Sequence, residues 1–239
     1  MTRGLIRGIF PALLASATLV TAQAALPADS SAPSPLLERF LSLAEPSVVE
    51  YRAVRHLEAQ NDRFNSSAWM DVSTEMSRDG AFRYRIIGEG GAAYIRSRVF
   101  LPALEGERQM CAASETLRGA VSPENYVFED RRAEKDGLAW FLVKPRRKDI
   151  VLVDGSIFLN PDDGDLVKVE GRLAKTPSMW TRRVDIVRSY RRLAGVRMPV
   201  ELETVATLLV AGRSTFRMTY DYETVNGQRV GDSSKLLPR

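Results

Sequence analysis

The chain holds one histidine, His56, and one cysteine, Cys111, among its 239 residues. Any chemistry that needs an imidazole or a thiol is therefore tied to these two positions. A Cys111–His56 dyad is the one thiol–imidazole pairing open to it. A serine triad would have to use His56, and no G-x-S-x-G accompanies it. Zinc held by one histidine and one cysteine would need carboxylates for the rest, an unusual mix for a structural site. His56 shares its strand face with Arg52, Val54 and Glu58, and reads as a surface residue. Carboxylates are plentiful, but no spacing singles out an acid–base pair.

Two short motifs suggest ligands and fail on context. Gly88-Glu89-Gly90-Gly91-Ala92-Ala93 matches G-x-G-x-x-A between a strand pattern and a helix pattern. The strand before it carries Arg83 and Arg85, unlike the doubly buried strand of a parallel sheet, and no βαβ unit follows. It reads as a glycine-rich turn. Asp162, Asp163 and Asp165 surround Gly164, yet the spacing departs from a calcium loop and suits a tight turn. No cofactor and no metal site is expected. Arg182, Arg183, Arg188 and Arg191 form the densest basic stretch. It reads as a solvated face, with anionic headgroups or an acidic partner as the functional alternative.

The elements that position these residues are mostly strands. Ser34-Pro35 is a helix start, and Leu36, Leu37, Phe40, Leu41 and Leu43 give an apolar helical face before Pro46. From Val48 the period becomes two, with strands near 48–54, 70–76 and 82–86 and a hairpin turn at Ser77-Arg78-Asp79-Gly80. Residues 92–112 return to helical spacing through Ile95, Val99, Ala103 and Leu104. Pro102 must bend or restart that helix. Further strands are expected at 125–131, 138–144, 151–159, 165–173, 182–192, 200–210 and 214–223, with turn residues between them. Turn-linked strands with no intervening helices pair as a meander. About ten strands in one sheet curl rather than stay flat. The fold class is mainly β: an antiparallel meander with helices covering its concave face. That face is either a packed core or a cavity for an apolar guest. The apolar strand faces supply Met70, Val72, Phe82, Tyr84, Ile86, Leu138, Trp140, Leu142, Phe216, Met218 and Tyr220. Phe40, Leu41, Ile95 and Val99 are the lid candidates.

The N-terminus carries Arg3 and Arg7, then an apolar stretch from Gly8 to Val20, then Thr21-Ala22-Gln23-Ala24. That is the order of a secretory signal cleaved near Ala24. The apolar run is shorter than the roughly 20 residues of a membrane span. No cysteine follows it, so no lipid anchor is expected. Residues 25–33 read as a flexible leader, 34–230 as one β domain and 231–239 as a frayed tail. Removing residues 1–24 lowers the formal charge from +4 to +2, with 32 basic against 30 acidic residues. Little then favours a nucleic-acid partner. The expected product is periplasmic and monomeric, with no transmembrane segment.

One block of sequence carries a family pattern. It runs Gly155-Ser156-Ile157-Phe158-Leu159, then Asp163 to Lys175, then Trp180-Thr181-Arg182-Arg183-Val184. It continues through Gly195-Val196-Arg197-Met198-Pro199-Val200 to Ser214-Thr215-Phe216. This resembles periplasmic proteins of the outer-membrane lipoprotein-sorting type, the LolA/LolB-like superfamily. The resemblance implies an unclosed β-barrel of about eleven strands, a helical lid and a hydrophobic cavity for acyl chains. It implies no enzyme activity and no cofactor, with a lipid or lipidated protein as cargo. The alternative is an envelope interaction or stress-sensing module with a filled barrel and a protein partner.

Overall fold

In the computed structural model, residues 34–113 and 116–230 are described. The signal segment, the leader and the tail expected from the sequence lie outside them. Helix α1, Pro35–Ser42, begins as its sequence dictates: the Ser34 hydroxyl oxygen accepts from the Leu36 N–H at 3.3 Å, and Pro35 opens the first turn. Its apolar side buries Leu37 and Phe40.

Three strands follow: β1 (Tyr51–Asn61), β2 (Ser66–Met76) and β3 (Phe82–Gly91). After a helical segment come β4 (Tyr126–Lys135), β5 (Leu138–Pro145), β6 (Val153–Leu159), β7 (Leu166–Leu173), β8 (Thr181–Leu193), β9 (Val196–Leu208), β10 (Gly212–Val225) and the short β11 (Gln228–Arg229). They form one antiparallel sheet in the order β3-β2-β1-β10-β9-β8-β7-β6-β5-β4, with β11 beside β10. Sequence neighbours pair as expected with one exception. A plain meander would leave β1 and β10 as edges, but these two pair along their whole length, from Tyr51 opposite Val225 to Asn61 opposite Ser214. The opening therefore falls between β3 and β4. The result is an unclosed β-barrel.

The tight turns follow from residue type. Asp136-Gly137, Ala194-Gly195 and Asn226-Gly227 each place two successive residues at positive φ, the conformation that two-residue hairpins need. The glycine-rich segment differs from its expectation. It is the end of β3 and not a turn. Trp69 on β2 lies across Gly90, where a Cβ would come within 2.5 Å of the indole nitrogen.

The helical segment between β3 and β4 starts with the single turn α2 (Ala93–Ile95), widens into a π-helix at Arg96–Phe100 and continues as α3 (Leu101–Ala112). Pro102 is in the first turn of α3. A proline within a continuous helix clashes with the carbonyl four residues back. The wider π turn just before it, closed by Leu101 N–H to the Arg96 carbonyl, accommodates the ring without breaking the segment. The extra residue also changes the helix phase. Ile95, Phe100 and Leu104 are buried, whereas Val99, expected on that face, is 37% exposed. The lid side chain at this turn is Phe100.

Candidate functional site

Both helical segments cover the same face of the sheet, called here the inner face. On it α1 packs Leu37 and Phe40 with Phe141, Val143, Ile157 and Leu159. Ile95, Phe100 and Leu104 pack with Leu57, Met70, Val72 and Met218. Burying one side chain of this size contributes about 1.5–3 kcal/mol, so each helix is held mainly by its apolar contacts.

The expected lining residues divide by face. Met70, Val72, Phe82 and Met218 are buried on the inner face, with Tyr84, Phe216 and Tyr220 packed beside them. Ile86 stands opposite Val72 but on the edge strand, and is exposed. Leu138, Trp140 and Leu142 are on the other face of β5. The inward alternation there runs through Phe141 and Val143. Both faces of Leu138–Val143 are apolar, so the periodicity could not set the phase. On the outer face Trp140 pairs with Phe158, whose ring lies under the Lys168 ammonium at 4.0 Å. Of the lid candidates, Phe40 and Ile95 are buried and Leu41 is packed at the margin.

A polar group occupies this apolar setting. Arg55 continues the inward series Tyr51, Ala53, Leu57 and Ala59 of β1, and its side chain is 1% exposed. Its guanidinium donates to the Glu107 carboxylate of α3, Nη1 to Oε2 at 2.5 Å and Nη2 to Oε1 at 2.8 Å. Nη2 also donates to the Tyr51 hydroxyl at 2.7 Å, and that hydroxyl donates to Glu107 at 3.1 Å. The Tyr220 and Phe82 rings lie 4.7 and 5.1 Å from the guanidinium carbon. The Arg55 Nε is buried with no hydrogen-bond partner in the structure. Burial pushes the Glu107 carboxyl up, but the Arg55 hydrogen bonds and charge outweigh it, and the pKa lies below its usual range. Burial lifts the Tyr220 hydroxyl to about 12. Periodicity alone places Arg55 inward. An arginine at an apolar position of a strand is the one local signal in the sequence for this buried group.

The arginine stretch of β8 does not form one patch. Arg188 follows Val184 and Ile186 onto the inner face, where it interacts with Tyr190, Tyr220 and Tyr126 and lowers the Glu107 pKa further. Arg182 and Arg183 are exposed, and Arg183 pairs with Asp185. Arg191 is half-buried. The β-strand alternation divides residues that adjoin in sequence between the two faces.

His56 is on the outer face, its Nδ1 2.6 Å from Asp71 Oδ1. Cys111 packs against inner-face residues near Tyr51 and Phe82. The sheet separates them, so they form no dyad. Burial raises the Cys111 thiol pKa, the Glu107 charge adds to it, and Arg55 opposes. The Asp162–Asp165 segment is the β6–β7 turn, where the Asp163 carboxylate accepts from the Asp165 N–H. Asp165 is itself held by Arg192 and Arg197, each at 2.8 Å. Glu45, just beyond α1, accepts from the Arg197 N–H at 2.8 Å, which ties the α1 end to β9.

A depression of about 590 Å³ lies on the outer face, lined by Asp154, Glu170, Arg172, Arg183, Asp185 and Glu203 among others. Glu170 is paired with Lys168 and Asp185 with Arg183. Its charged lining does not suit an apolar guest, so the sheet face under the helices is the candidate site. Among the described residues no helix is long and apolar enough to cross a membrane.

No family model matches the chain, and no curated protein matches it. Among solved structures, it is similar to the crystal structure of the LolA superfamily protein NE2245 from Nitrosomonas europaea. That chain is 10% identical, with a TM-score of 0.37, and the match covers 85% of this chain and 93% of that one.

Proposed function

We propose that this protein is a non-enzymatic periplasmic carrier of a lipid or a lipidated protein, which binds an acyl chain on the inner face of the sheet beneath the helices. The observation that carries this reading is the Arg55–Glu107 contact between that face and α3. A buried ion pair commonly stabilises no better than well-packed apolar residues would. Placed between a lid and an apolar sheet, it suits a contact that closes and reopens. When α3 swings outward, Phe100 and Leu104 leave the sheet, and Leu57, Met70, Val72 and Met218 become an apolar surface. An acyl chain moved from water to such a surface gains about 0.8 kcal/mol per CH₂. Glu107 is a third exposed, so water reaches the contact without prior unfolding.

The filled-barrel alternative, an envelope interaction module, draws on the close packing of helix side chains against the sheet. One experiment separates the two. The protein is isolated from an envelope fraction without detergent, and bound lipid is identified by mass spectrometry, with fluorescent fatty-acid probes added in parallel. The carrier reading expects a copurifying lipid or saturable probe binding that α3 substitutions alter. No lipid and no probe binding would leave the filled barrel.

A further inference from the structure

The two ends of the sheet have different turn chemistry. At one end the hairpins close on Asp79-Gly80, Asp136-Gly137, Asp163-Gly164, Ala194-Gly195 and Asn226-Gly227, small or polar residues that turns favour. At the other end three turns project large apolar side chains into water. Phe64 is in the β1–β2 turn, Met179 and Trp180 are in the β7–β8 loop, and Leu209 and Val210 are in the β9–β10 turn. Their exposures are 54%, 82%, 61%, 48% and 61% in that order.

These turns adjoin. Arg63 Nη1 donates to the Val210 carbonyl at 2.7 Å, and the Asp62 N–H donates to the Arg213 carbonyl at 3.1 Å. The Leu209 N–H donates to the Trp180 carbonyl at 2.9 Å. No fold requirement explains the side chains, since tight turns need small or polar residues and a core needs buried ones. A contiguous exposed apolar cluster marks a place of contact.

The charge around the cluster identifies the contact. The three turns and the strand ends that leave them carry Arg63, Lys175, Arg182 and Arg213, all exposed, against one acid, Asp62. A projecting cluster of Trp, Phe, Met, Leu and Val ringed by basic residues matches an anionic bilayer surface. The apolar tips enter the headgroup boundary, and the long basic side chains reach the phosphates around them. Trp180 is the side chain best suited to that boundary, since its ring is apolar and its N–H is polar.

We propose that this end of the sheet is a membrane-docking tip, which seats the protein reversibly on anionic phospholipid through Phe64, Met179, Trp180, Leu209 and Val210 with Arg63, Lys175, Arg182 and Arg213 around them. The proposal stands whether or not the inner face carries a lipid.

The test uses the purified full chain with sedimenting vesicles of phosphatidylethanolamine containing about a quarter phosphatidylglycerol, and vesicles of phosphatidylcholine alone. Binding is expected to the anionic vesicles, weakening as salt rises. M179S/W180S is expected to lower partitioning at least tenfold, and F64S/V210S, on separate turns, to lower it in the same direction. R182Q/R213Q is expected to weaken binding to anionic vesicles about tenfold and to leave phosphatidylcholine unaffected. Tryptophan emission should shift to the blue on binding and be quenched by brominated lipid, and W180F should lose both changes. That second readout is local to the tip and independent of any membrane affinity of residues 1–24. Wild-type binding by the apolar variants, or quenching that persists in W180F, would overturn the proposal. So would absence of vesicle binding together with self-association that M179S/W180S abolishes, which would make the tip an interface between copies.

Discussion

The Arg55 guanidinium of β1 and the Glu107 carboxylate of α3 meet through two hydrogen bonds, with Arg55 1% exposed and Glu107 a third exposed. One partner belongs to the sheet and the other to the helix above it. Separating them costs most on the arginine side, because a buried cation without a partner is strongly disfavoured.

E107Q should therefore destabilise the protein by about 2 kcal/mol, less than for a fully buried pair because water reaches the carboxylate. R55L/E107L should recover much of that loss. Urea unfolding of R55L, E107L and R55L/E107L measures the coupling. Equal losses in the double variant and the sum of the singles would mean the two residues do not act together.

Acid should weaken the same contact. Glu107 has its folded pKa below the ordinary value of 4.5, chiefly through Arg55 acting against burial. A depressed carboxylate contributes stability that is complete above the unfolded pKa and lost as pH falls through the folded one. Stability should hold from neutrality down to about pH 4.5 and decline below it, with a shallower decline in E107Q. Fluorescent fatty-acid binding followed over the same range reports whether the helix opens as the contact is lost.

Two glycine substitutions should act in opposite directions. Gly155 and Gly171 face each other across β6 and β7, and a Cβ on Gly155 would approach the Glu170 carbonyl oxygen to 2.2 Å. G155A should cost upward of about 2 kcal/mol, because backbone must move. Gly106 in α3 has nothing within 4 Å of its Cβ position. G106A should stabilise by up to about 1 kcal/mol through helix propensity. Thermal melts of the two variants settle both signs.

Cys111 should alkylate slowly near pH 8, since burial and the Glu107 charge hold its thiol pKa up. E107Q removes one of those causes and loosens α3, and should speed the reaction. An unchanged rate in E107Q would show that α3 stays seated without its carboxylate.

Much of this arrangement was legible in the sequence where one local rule dominates. The Ser34-Pro35 helix start, the Asp136-Gly137 and Ala194-Gly195 turns, and the inward series Phe216, Met218, Tyr220 and Tyr222 all follow from neighbouring residues alone. Three features needed the third dimension. The phase of β5 was ambiguous because Leu138–Val143 is apolar on both faces. Val99 gave way to Phe100 because a π turn before Pro102 adds one residue, which α-helical spacing does not anticipate. Arg188 reads as part of a solvated basic stretch, and Arg55 draws no notice at its inward position, because nothing local announces a partner such as Glu107 on a distant helix.

The pairing of β1 with β10 has a consequence for how the chain comes to be folded. The first strand finds one of its two neighbours only when nearly the last residues of the domain are present. Contacts so far apart in sequence make folding slow, and they leave an apolar edge unsatisfied while the chain is incomplete. A growing polypeptide of this kind cannot lock early. The barrel therefore closes only when synthesis of the domain is almost finished.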